Sequence, residues 1–70
     1  MRYRELTRRL RDLGCIEGRR GKGSHVFWHN PATGQSTAVP NWGSKDLALG
    51  TVRAIVRGLG LTREEFGPIK

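Results

Sequence analysis

The chain has 70 residues, ten of them glycine and one cysteine, and 13 Lys and Arg against six Asp and Glu give it a net charge of +7. A chain this short buries only about 60% of the surface its unfolded form exposes, which predicts a single domain over 1–70 and excludes a deep catalytic pocket. The lone cysteine excludes an internal disulfide, and no apolar run approaches the ~20 residues of a membrane span or forms a signal peptide, so a cytoplasmic protein acting through an open surface is expected.

In "YRELTRRLRDLG", apolar residues at Tyr3, Leu6, Leu10 and Leu13 follow the helical period, and Gly14 stops the helix in the left-handed cap position. Arg4, Arg8 and Arg11 form a polar stripe, offset by Glu5 and Asp12 at ion-pair spacing; the stripe either solvates the helix or meets phosphate. Cys15 falls where an apolar residue suits the pattern and reads as a small buried hydrophobe, with no catalytic role. "CIEGRR" and "HVFWH" flank a Gly-Lys-Gly-Ser turn, and "QSTAVP" follows a second reversal at "NPATG", so three short strands in a meander are predicted. In "GTVRAIVRGLGL", Val52, Ile55, Val56 and Leu59 mark one face of a second helix, with Arg53 and Arg57 on the other and Gly60 as its cap. Gly58 lies inside that helix and costs about 1 kcal/mol relative to alanine, which close packing on a neighbour would explain. Thr62 and Glu65 have capping-box spacing and predict one terminal helical turn, with Phe66 folded back onto the core. The fold class is α+β: helix, three-stranded antiparallel sheet, helix, then a stub, with the helices on one face.

Strand alternation puts Val26 and Trp28 inside and His25, Phe27 and His29 outside, because that choice buries more apolar area and keeps both imidazoles wet. The two histidines stand about 13 Å apart at ~3.3 Å per residue, too far for one zinc, and the cysteine lies near neither. No metal site and no cofactor are therefore expected. Ten of the thirteen cations are arginines, whose planar forks match phosphate, so the partner class is a polyanion. RNA brings its own nucleophile, the 2′-hydroxyl, and an exposed imidazole titrates in the range that removing its proton requires. Arg20, Lys22, Lys45 and the glycine-rich backbone of residues 21–24 are placed by sequence to meet the developing phosphate charge. Phe27 is placed to stack on a base or to sit under a partner protein.

The stretches "LRDLG", "GSH", "VP" and "GTVRAIVRGLGL", in this order and spacing, resemble the HicA family of bacterial toxin–antitoxin systems over nearly the whole chain. The resemblance implies a double-stranded-RNA-binding-like α-β-β-β-α fold, metal-independent endoribonuclease activity on messenger RNA, and a HicB-like antitoxin covering the active face. The catalytic histidine of the family's Gly-Ser-His motif is carried onto His25, preceded by Ser24. Many relatives place a second histidine shortly after "VP", where this chain has Trp42. If that imidazole protonates the leaving 5′-oxygen, the role passes here to Lys45, His29, Lys22 or water. Trp42 itself stacks on RNA, fills an antitoxin contact, or is buried. Two other readings stand beside the nuclease: an RNA-binding module of the same fold that does not cut, and a docking surface for an acidic protein.

Overall fold

The computed structural model describes residues 1–69 as α1 (Tyr3–Asp12), β1 (Ile16–Arg20), β2 (His25–Asn30), β3 (Gln35–Pro40), α2 (Leu49–Gly58) and α3 (Arg63–Phe66). The strands form an antiparallel sheet in the order β1-β2-β3, so the meander read from the turn residues is the observed topology. Leu6 and Leu10 of α1 and Val52, Ile55 and Val56 of α2 are buried, as their spacing requires. They meet Val26, Trp28 and Val39 in one apolar cluster, closed by Leu59 and Phe66 and by Cys15 at the start of the sheet. Burial pushes the Cys15 thiol pKa up, which keeps it protonated and unreactive.

β2 alternates between faces without exception: Val26, Trp28 and Asn30 are buried, and His25, Phe27 and His29 are exposed. Trp28 is fully enclosed, its indole N–H 3.3 Å from the Tyr3 hydroxyl and its ring under the Arg11 guanidinium at 5.1 Å. Asn30 sits in the core because its amide has two partners there. Its Nδ2 donates to the Leu59 carbonyl at 2.7 Å, and its Oδ1 accepts from the Ala32 N–H at 3.1 Å.

β1 does not alternate; all five residues are exposed, and Ile16 is 56% exposed opposite His29. Glu17 pairs with Trp28 and Arg20 with Val26, so β1 carries one residue more than β2 between those rungs and bulges. A Cβ at Gly18 would stand 3.1 Å from the Phe27 carbonyl oxygen, so the bulged strand lies close to its neighbour.

Of the ion pairs on α1, one has the helical spacing the sequence offers Glu5 and the other leaves the helix. Glu5 binds Arg9 at 3.2 Å, and Arg11 reaches off the helix to Glu17 at 3.1 Å. Arg11 is therefore occupied by a carboxylate and an indole rather than left in a free stripe with Arg4 and Arg8. Arg9 also lies over the Phe66 ring and donates to the carbonyls of Phe66 and Pro68, fastening α3 to α1. The capping box of α3 forms as read, with the Thr62 hydroxyl accepting from the Glu65 N–H and the Glu65 carboxylate from the Thr62 N–H. Gly58 has its explanation in packing: a Cβ there would meet Thr37 Oγ1 at 3.1 Å, so glycine lets the end of α2 lie directly on β3. No helix among the described residues is long and apolar enough to cross a membrane.

Candidate nucleic-acid interface

The sheet face opposite the helices carries the side chains that the fold does not use. His25 opens β2 on that face, and the turn before it fixes its ring. Gly23, at φ +60°, lets the chain reverse, the His25 N–H donates to the Lys22 carbonyl at 3.2 Å, and the Gly21 N–H donates to the His25 carbonyl at 2.8 Å. The same Lys22 carbonyl lies 3.2 Å from His25 Nδ1. A carbonyl oxygen only accepts, so Nδ1 carries the hydrogen and the lone pair of the neutral ring sits on Nε2, free to take a proton from outside.

The first glycine of the turn has a different purpose. The Phe27 ring lies over Gly21 so closely that a Cβ there would come within 2.9 Å of it. Phe27 is 37% exposed on the face of His25, and the bulge throws Arg19 over its ring, 6.0 Å from guanidinium carbon to centroid. Arg20, the residue named from sequence, pairs with Val26 and so shares the helix-bearing side of the sheet at the end of β1. Counting residues alone does not reveal this exchange of roles, because the parity of the strand changes at the bulge. His29, the second imidazole, has its Nδ1 2.7 Å from Ser36 Oγ on β3.

The loop after β3 brings the remaining sequence-named residues to His25. The Asn41 N–H donates to the Ser24 carbonyl at 2.8 Å, extending the β2–β3 ladder past His25, which pairs with Pro40. Trp42 follows at once and is 47% exposed, so it is not the buried residue that was one of its readings. It shares an open cleft with His25, and a second, smaller hollow with Asn41 and Lys45. Lys22, Ser24, His25, Trp42 and Lys45 thus cluster at one end of the sheet, with Phe27 next along the strand. Lys22 and Lys45 are exposed and form none of the three ion pairs found among the described residues. No three His, Cys, Asp or Glu residues among the described residues group as metal ligands do. What the arrangement can do is take a proton at His25 Nε2 from a hydroxyl on a large anionic ligand, with cations and backbone amides close by.

The sequence matches the family model described as the HicA toxin of bacterial toxin–antitoxin systems over residues 3–61. It is 39% identical over 61 residues to a probable mRNA interferase HicA of Pseudomonas fluorescens (strain Pf0-1), a match covering 87% of this chain and 97% of that protein. No solved structure matches it significantly.

Proposed function

The chain belongs to the HicA toxin family of bacterial toxin–antitoxin systems, and from that premise we propose that it is a metal-independent endoribonuclease that cleaves messenger RNA in the cytoplasm with His25 as general base. The observation that carries this reading is the bond between His25 Nδ1 and the Lys22 carbonyl, which leaves Nε2 as the proton acceptor on an exposed, cationic face. A ribose 2′-hydroxyl gives its proton to Nε2, and the oxygen attacks the adjoining phosphorus. A P–O2′ bond forms as the P–O5′ bond breaks, leaving a 2′,3′-cyclic phosphate and a free 5′-hydroxyl. Lys22, Lys45 and the amides of residues 22–24 offset the charge gathering on the phosphate, a role Arg20 does not share because it lies on the helix-bearing side of the sheet. Phe27 and Trp42 contact bases, with Arg19 backing Phe27. The leaving 5′-oxygen takes its proton from water or from the Lys45 ammonium beside Trp42. His29 lies four residues along the strand and is turned to Ser36.

A HicB-like antitoxin is the protein partner this reading assigns, seated over the same face. The curated relative's name supports the choice of messenger RNA as substrate. The test is cleavage of an end-labelled RNA in the presence of a chelator, with the product termini identified. Expected are cyclic-phosphate ends, and no cut where the attacking nucleotide is 2′-deoxy. Binding without any cleavage overturns the enzyme and leaves an RNA-binding module of the same fold.

A further inference from the structure

Helix α2 closes on β3 at Gly58 and stands away from it nearer the helix N-terminus. There the two elements and the loop after β3 enclose an open cleft of about 420 Å³, walled by His25, Trp42, Ala38, Thr51, Ala54 and Ile55. Two alanines keep it open where larger residues would fill it. Thr37 also lines it, and neither its hydroxyl nor that of Thr51 has a hydrogen-bond partner among the described residues.

We propose that this cleft receives the base of a nucleotide adjoining the scissile phosphate and so sets which position in the RNA is cut, an assignment that rests on the ribonuclease reading above. The chemistry of the walls matches a nucleobase. Apolar surface at Ala38 and the flat Trp42 ring suits its faces, while the Thr37 and Thr51 hydroxyls, each both donor and acceptor, suit its polar edge. The position matches too. His25 forms one wall, so an RNA whose 2′-hydroxyl reaches Nε2 has its neighbouring base at the mouth of the cleft. A base held there positions the phosphate for attack, and the threonines discriminate among bases by which edge groups they satisfy.

The test uses the full chain and a nuclease-resistant 2′-O-methyl trinucleotide, followed by backbone amide shifts and Trp42 fluorescence. Saturable shifts at Thr51 and Ala54 with quenching of Trp42 are expected. Ala54→Phe, at an exposed helix position, should weaken trinucleotide binding about tenfold and slow cleavage of unmodified RNA to match, with the melting temperature unchanged. Thr51→Val should change the relative cleavage rates among the four bases at that position. Shifts confined to residues 19–29, with Ala54→Phe binding and cleaving as the parent does, overturn the cleft assignment while the ribonuclease reading stands. Absence of both trinucleotide binding and RNA cleavage in the parent protein overturns the ribonuclease reading, and the cleft assignment with it.

Discussion

The two faces of β2 are built from neighbouring residues and obey different logics. Val26, Trp28 and Asn30 point toward the helices, and each has its apolar contacts or its hydrogen-bond partners accounted for. His25, Phe27 and His29 point away and add little to the core. The glycines beneath Phe27 and the bulge that brings Arg19 onto it are concessions to the open face. In a domain with so thin a core, the residues that stability does not require are where function is to be sought.

That contrast breaks most readily on the covered face. Trp28→Ala should cost about 3–5 kcal/mol of stability, enough to leave the domain largely unfolded, and a denaturant melt measures it. Full stability in that variant would mean the helices do not rest on the sheet as described. Asn30→Ala should cost about 1–3 kcal/mol, because it removes the amide bond to the Leu59 carbonyl, which keeps only the Thr33 hydroxyl, and takes away the acceptor of the Ala32 N–H. On the open face the same kind of truncation should move binding instead. Phe27→Ala is expected to weaken RNA binding by about 1–3 kcal/mol, roughly 5- to 150-fold, while changing stability by no more than about 1 kcal/mol. A large loss of stability with unchanged RNA affinity would reverse the assignment of the two faces. The smallest effect is at Cys15. Its raised pKa and burial predict that a thiol reagent labels the native protein far more slowly than the unfolded one at neutral pH, with the native rate rising only as the pH becomes strongly alkaline.

The covered face was the more legible of the two. Leucines at helical spacing, the strict alternation of "HVFWHN" and the capping box at Thr62 each encode a local geometry that the fold keeps. The exposure of His25 was also within reach of sequence, because strand parity puts it on the open face. Other features depend on long-range register. The bulge in β1 changes which arginine meets Phe27, and no residue type in "IEGRR" announces it. The burial of Asn30 is decided by a carbonyl 29 residues away. Trp42 was ambiguous because a loop residue's exposure is set by what packs beside it, here the gap between β3 and α2. Gly58 was the one signal of that close approach, and its meaning appears only once Thr37 is known to face it.

The central claim, that the open face works through His25 and not through the stability of the sheet, is tested by purifying His25→Ala and measuring RNA cleavage, RNA binding and thermal melting on the same sample. The account predicts a fall in cleavage of about 10²- to 10⁴-fold with melting temperature and RNA affinity close to those of the parent. Cleavage that survives in the folded variant would contradict it.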